Sequence, residues 1–406
     1  MELIPNFLNE KKMEIMISVQ KALNLINQEV SLMESVEIPI ELANGLVVAE
    51  TIFSPENVPA FAQSSMDGYA FAYDKNRTNY KLVGEMAAGS GATFDLNKEE
   101  AVRIFTGAAV PFNADTVLMQ EKALVQDGNL EILDDQLKKG TNVRPIGSEI
   151  TKGEKALEKG TILKPAVIGF LASMGISKIK VYPNPKVAIV VTGNELVTPG
   201  GNLEYGQLFE SNSFTLTSAL KQIGIDAISV IQVKDDLKQL HSALSESITT
   251  HDLILISGGV SVGDYDFTLK ALELSGVKSI FHKVKQKPGK PLLFATKSDT
   301  VIFGLPGNPA SVLTCFYKYV LPAISKMTHQ ELELQSQKAI VQQEYNKLEG
   351  MTHFLRAKYQ DNIVSLGIGQ ESYKLSSFAE ANCLAVFPQE VTKTNIGETI
   401  DIHLFP

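Results

Sequence analysis

The chain has 406 residues, 44% of them apolar and 20% charged, with a formal net charge of −9. That balance is ordinary for a soluble globular protein, and an acidic chain is a poor general binder of nucleic acid. At roughly 100–200 residues per domain, the length predicts two to four domains. The segment from Met1 to Asn9 is acidic and polar, unlike a signal peptide, and no apolar run approaches the roughly 18 residues of a membrane span. A cytoplasmic protein is therefore expected. The two cysteines, Cys315 and Cys383, sit in apolar surroundings with no zinc-type spacing, and read as buried small hydrophobes.

Val19, Ala22, Leu23 and Ile26 recur on one face of Ser18 to Gln28, which predicts a helix. From Thr51 to Glu149, short β-like runs such as Ala101–Phe105 and Thr116–Met119 alternate with Gly, Pro, Asn and Asp turns. Lys164–Met174 is helical again, stopped by Gly175, and Ser177–Tyr182 reads as a strand. The pattern suggests a discontinuous helical domain, 1–50 with 150–182, interrupted by a β-rich domain at 51–149. Residues 183–330 change character. Apolar strands at Val187–Val191, Ala227–Val233, Leu253–Ile256 and Val301–Phe303 alternate with helices at Ser213–Ile223, around Leu237–Ile248 and from Ala310 to Ile324. Such alternation predicts a three-layer α/β domain around a parallel-type sheet. From 331 to 406 alternating runs return, at Ala339–Gln343, Phe354–Tyr359, Ile363–Leu366, Leu384–Phe387 and Ile400–Leu404, as expected for a small all-β C-terminal domain.

In an open α/β sheet, ligands bind beyond the carboxyl ends of the strands. Three glycine-bearing loops fall there: Thr192-Gly193-Asn194-Glu195, Ser257-Gly258-Gly259-Val260-Ser261-Val262-Gly263-Asp264-Tyr265-Asp266, and Gly304-Leu305-Pro306-Gly307-Asn308-Pro309. Glycines let backbone approach a ligand, and helix N-termini offer free N–H groups, so three such loops favour a phosphate-bearing ligand over mere turns. Glu195, Asp264 and Asp266 would repel that ligand unless a cation such as Mg²⁺ intervened; N-capping is the plainer role for the aspartates. Lys287-Pro288-Gly289-Lys290-Pro291 can hold two ammonium groups in one direction, though a solvated turn has the same spacing. Asp67 in an Asp-Gly turn, Thr106 and Arg144 carry little weight from their spacing alone. Gly259-Val260-Ser261-Val262-Gly263 also fits the nucleophile elbow of hydrolases with Ser261 as nucleophile. However, Ser257-Gly258 loosens the entry, and the following residues delay the helix that an elbow needs at once.

In order along the chain stand SMDGYA (65–70), FTGAAVP (105–111), MQE (119–121), TGNEL (192–196), SGGVSVGDYD (257–266), KPGKP (287–291), GLPGNP (304–309) and SSFAEANCLAVFP (376–388). In this set and order the chain resembles the MoeA family from about residue 15 to its end. The resemblance implies a multidomain α/β protein with a molybdopterin-binding domain and a C-terminal β-barrel, working as an elongated homodimer. Its implied activity is the Mg²⁺-dependent insertion of molybdenum, from molybdate, into adenylylated molybdopterin with release of AMP. Carried over residue by residue, Glu195 and Asp266, helped by Asp264, would hold metal, and Lys287 and Lys290 would clamp anions. Thr192, Gly193, Ser257, Gly258, Gly259, Ser261, Pro306, Gly307 and Asn308 would cradle the substrate. Ser311, Arg356 and Ser377 would hold molybdate or the pterin phosphate. Asp67, Thr106, Arg144 and Glu149 would reach the cleft from the inserted domain of the partner subunit. Two departures stand out: Glu149 where the family often has Asp, and Ala62-Gln63 where it usually has Asp-Asn. A non-catalytic scaffold on the same fold is the alternative reading. An adenylyltransferase sharing the central domain would lack the two β domains.

Overall fold

A computed structural model describes residues 16–259 and 267–406. The chain divides into two compact units, one of Ser35–Val181, the other of the preceding segment up to Glu34 with Tyr182–Pro406.

The larger unit is built on a six-stranded sheet in the order Ile228–Val233, Val187–Thr192, Leu253–Ser257, Thr300–Leu305, Pro291–Lys297, Lys278–Lys283. The first four strands run parallel, as expected. The last two are antiparallel and extend the sheet beyond the expected set. The central runs are apolar throughout because both faces are covered. Ala188, Val190, Ile254 and Ile256 face Leu240, Leu244 and Ala271. Ile189, Val191, Leu253 and Leu255 face Leu216, Leu220, Val312 and Phe316. Each buried Leu or Ile contributes about 1.5–3 kcal/mol relative to exposure, so this two-sided packing dominates the unit's stability.

The helix expected at Ala310–Ile324 starts at Pro309 and runs to Thr328, but it widens into a π turn over Phe316–Val320. Pro322 has no N–H to give the Lys318 carbonyl, a common reason for a helix to depart from α geometry. The helix Val19–Glu29 is N-capped by Ser18. Its buried Ala22 and Ile26, with Val30, join the core of Ile324 and Met327. It therefore belongs with the α/β unit, whereas the domain boundaries read from sequence grouped it with residues 150–182.

After the α/β part, Thr352–Gln360, Ile363–Leu366, Gln335–Val341, Thr399–Leu404 and Cys383–Phe387 pair in that order, and the last pairs back onto the first. This is a closed five-stranded barrel. Alternate residues, among them Leu355, Ala357, Cys383, Ala385, Phe387 and Ile402, point inward and fill it.

The smaller unit holds a six-stranded sheet in the order Thr116–Met119, Gly68–Phe71, Glu100–Ile104, Asn79–Met86, Asn129–Ile132, Ala123–Gln126. Tyr69, Phe71, Tyr80 and Leu118 pack on one side, and Ala70, Val102, Ile104 and Val117 on the other. A second core, including Ile40, Val48, Leu163, Leu171 and Ile179, gathers the helix Pro165–Ser173 and short strands around it.

Candidate active site

Three adjacent parallel strands end together at Thr192, Ser257 and Leu305, with Val191 opposite Ser257 and Ser257 opposite Leu305. Their loops thus share one edge of the sheet. Gly258, at φ +95°, presses against its neighbour: a Cβ there would stand 2.4 Å from the Thr192 carbonyl oxygen. Thr192 is itself tied down, its hydroxyl donating to Asp235 Oδ1 at 2.7 Å. Asp235 Oδ2 accepts from the Asn194 amide at 3.1 Å, which braces the loop bearing Glu195. Asn212 Nδ2 donates to both Ser257 Oγ and the Gly307 carbonyl, each at 2.8 Å, and links two of the loops.

A cleft of about 870 Å³ opens at this edge. Glu195, Lys287, Lys290, Pro306, Gly307, Asn308 and Ser311 line it, half of the fourteen expected site residues that the larger unit has among the described residues; Thr192, Gly193, Ser257, Gly258 and Gly259 do not. Residues not anticipated also line it: Glu210, Asn212 and Gln286, and Gln370, Ser372 and Tyr373 from the barrel. Asn308 Nδ2 donates to Ser372 Oγ at 2.7 Å and the Ala310 amide donates to the Ser372 carbonyl at 3.1 Å, which joins the barrel loop to the sheet edge. Glu210 is committed elsewhere. It accepts from the Ser213 amide at 2.8 Å and from the Ser213 hydroxyl, closing the first turn of Asn212–Gln222.

Lys287 and Lys290 are exposed, and among the described residues neither is in an ion pair. Glu195 is likewise exposed. Arg356 and Ser377 are not among the residues lining the cleft. Arg356 is completely buried. Its Nε donates to Ser377 Oγ at 2.9 Å, and its Nη2 to the carbonyls of Gly369 (3.0 Å) and Glu371 (3.2 Å). It therefore holds from behind the loop that presents Gln370, Ser372 and Tyr373. Burial brings its guanidinium pKa down to about 10, against the opposing pull of Glu371, and its Nη1 is buried without a hydrogen-bond partner among the described residues.

In the smaller unit, Asp67 accepts from both the amide and the hydroxyl of Thr106, each at 2.8 Å. These bonds, the backbone one first, hold its carboxyl below the usual range. Arg144 pairs with Gln63 across two short strands. Arg144 and Glu149 line a cleft of about 620 Å³ with Gln63.

Ser261, Asp264 and Asp266 lie outside the described residues, so both the elbow serine and two of the three expected metal-holding acids fall there. Among the described residues no group of three or more His, Cys, Asp or Glu is placed to hold a metal ion. Magnesium commonly takes only one or two carboxylates beside waters and substrate oxygens, and Glu195 fits as one of them. No helix among the described residues is long and apolar enough to cross a membrane.

Residues 17–175 match the MoeA N-terminal region (domain I and II), 188–326 a probable molybdopterin binding domain, and 338–405 the MoeA C-terminal region (domain IV). The fold and the site define a MoeA-type α/β protein with a C-terminal barrel. A molybdopterin molybdenumtransferase of Haemophilus influenzae is 35% identical over 90% of this chain and 93% of its own length. One of a Nostoc species is 33% identical over 96% and 94%. The molybdopterin biosynthesis MoeA protein of Pyrococcus horikosii superposes with a TM-score of 0.81 at 30% identity, covering 97% of this chain and 100% of that one. The chain belongs to the MoeA family, a family of enzymes.

Proposed function

We propose that the chain inserts molybdenum from molybdate into adenylylated molybdopterin with release of AMP, in a Mg²⁺-dependent reaction in the cytoplasm. The observation that carries the reading is the lysine turn. Two lysines that form no ion pair among the described residues line one cleft with Glu195 and the Pro306-Gly307-Asn308 loop. Both substrates are anions, and an acidic chain can gather them only where its own positive charge is left unneutralised.

Lys287 and Lys290 clamp an oxyanion, as do the backbone N–H groups of the loops after Thr192, Ser257 and Leu305. Asn212 keeps two of these loops in register, and Asn308 with Ser372 fixes the barrel wall. Ser311 adds a hydroxyl to the cleft, and Arg356 and Ser377 hold the loop that bears Ser372 from behind. Mg²⁺, held by Glu195 with Asp264 and Asp266, would neutralise phosphate charge. The active form is a homodimer in which Asp67, Thr106, Arg144 and Glu149 of one subunit complete the cleft of the other.

The test mixes protein, adenylylated molybdopterin, molybdate and Mg²⁺, and follows AMP release together with reconstitution of a molybdenum-free apoenzyme. Molybdate-dependent release and reconstitution, both lost in Lys287→Ala, are expected. Tight molybdopterin binding with neither outcome would instead mark a non-catalytic scaffold.

A further inference from the structure

The lysine turn rests on a buried polar clamp. Gln286, immediately before it, is completely buried, as is Tyr319. Gln286 Oε1 accepts from the Tyr319 hydroxyl, and its Nε2 donates to the Gly289 carbonyl at 3.0 Å, at the tip of the turn between the two lysines. Both ends of this one amide are thus used, one on the long helix and one on the turn. Cys315 packs beneath, its sulfur 3.5 Å from Gln286 Nε2. The Val284 amide closes the other side by donating to the Lys290 carbonyl at 3.0 Å, and Gln286 and Lys287 pair with Thr352 and His353 of the barrel. Tyr319 belongs to the π turn Phe316–Val320, a local widening of the kind that often re-aims a side chain at a functional site. Lysine side chains are long and flexible, so two exposed ones bind an anion well only when their backbone is held still.

We propose that Gln286 and Tyr319 are positioning residues for the oxyanion subsite: through the Gly289 carbonyl they hold the turn in the shape that aims both lysine ammonium groups into the cleft. This rests on the reading of Lys287 and Lys290 as the anion clamp. The pair touches no substrate; its effect passes through the turn.

The test measures molybdate binding by calorimetry, and the KM for molybdate, in Tyr319→Phe, Gln286→Leu and the double variant. Lys287→Ala serves as reference and thermal unfolding as control. Each single change strands a buried polar partner and lowers the unfolding temperature. The double change also removes the hydroxyl stranded in Gln286→Leu and restores part of it, while the Gly289 carbonyl still lacks its amide donor. The molybdate KM and Kd rise about tenfold in Gln286→Leu and stay raised in the double variant, since the Gly289 anchor is still missing. The affinity for molybdopterin and kcat at saturating molybdate stay within about twofold. Recovery of molybdate affinity in step with stability overturns the inference and leaves the clamp a matter of packing alone. Unchanged affinity in every clamp variant also overturns it. If Lys287→Ala binds molybdate like the unaltered protein, the anion-clamp reading itself fails.

Discussion

Gly289→Ala tests the geometry of the lysine turn directly. Gly289 has φ +84°, and a Cβ built there stands 2.6 Å from Cys315 Sγ and 2.9 Å from Gln286 Nε2. Two costs follow. A left-handed backbone at an L residue costs about 1–2 kcal/mol. Forcing a methyl against a packed core adds about 1–3 kcal/mol, giving about 2–5 kcal/mol in all. The two parts separate on a Cys315→Ala background, which removes the sulfur but leaves the backbone strain. Urea unfolding followed by circular dichroism, on the two single variants and the double, should give a favourable coupling of about 1–2 kcal/mol. Additivity within about 0.5 kcal/mol would mean that Cys315 is not what excludes a side chain at 289. A Gly289→Ala protein as stable as the parent would refute the tight turn altogether.

His403 is held neutral by burial and by Lys318, whose Nζ lies 2.8 Å from its Nδ1, and its pKa falls to about 4. The unfolded chain binds a proton there near pH 6.5, so this contribution, about 3 kcal/mol at most, is present above pH 6.5 and is lost as pH falls towards 4. His403→Gln should flatten the fall in urea midpoint between pH 7 and pH 5; an unchanged slope would show that another group governs it. Thr106→Val removes one of the two bonds that lower the Asp67 pKa, so an NMR titration should find that carboxyl closer to its ordinary value, and an unmoved titration would contradict the assignment. If the smaller unit of one subunit completes the cleft of its partner, mixing inactive Asp67→Ala and Lys287→Ala subunits under exchange should restore about a quarter of the sites, half the dimers being mixed with one intact site each. No recovery, with mixed dimers demonstrated, would place both residues in a cleft made by one chain.

The α/β unit was legible because its chemistry is repetitive. Val187–Thr192 and Leu253–Ser257 are buried on both faces, so their apolar runs are unbroken, and the rule that ligands gather at strand carboxyl ends led to Thr192, Ser257 and the loop after Leu305. The antiparallel strand at the edge was not legible. Lys278–Lys283 is half exposed and carries lysines and a histidine, so no clean period marks it. The first helix showed its apolar face but not its partner, because amphipathic periodicity says which side is buried and nothing of what covers it. Asp235 could have been found, since it follows a parallel strand ending at Val233 on the same edge. Asn212 and Gln286 could not, since a lone amide has no periodicity and its value lies in which carbonyls it meets in space.

Among the described residues many lysines outside the cleft are in ion pairs, although Lys21, Lys164 and Lys221, like the two of the cleft, are not. Lys152, Lys155, Lys180, Lys270, Lys278, Lys338, Lys374 and Lys393 each sit within reach of a carboxylate. Such exposed pairs contribute little to stability, about 0–1 kcal/mol each, but they neutralise charge locally. Lys287 and Lys290 have no such partner among the described residues, and the turn between them is anchored to neutral groups, the Gln286 amide and the Cys315 thiol. Burial pushes that thiol's pKa up to about 12, so it adds no negative charge beneath the lysines. A carboxylate in place of the Gln286 amide would supply the missing counter-charge from below and weaken the cleft's hold on an anion. Neutral anchoring thus adds no counter-charge beneath either ammonium group, in a chain whose net charge is −9.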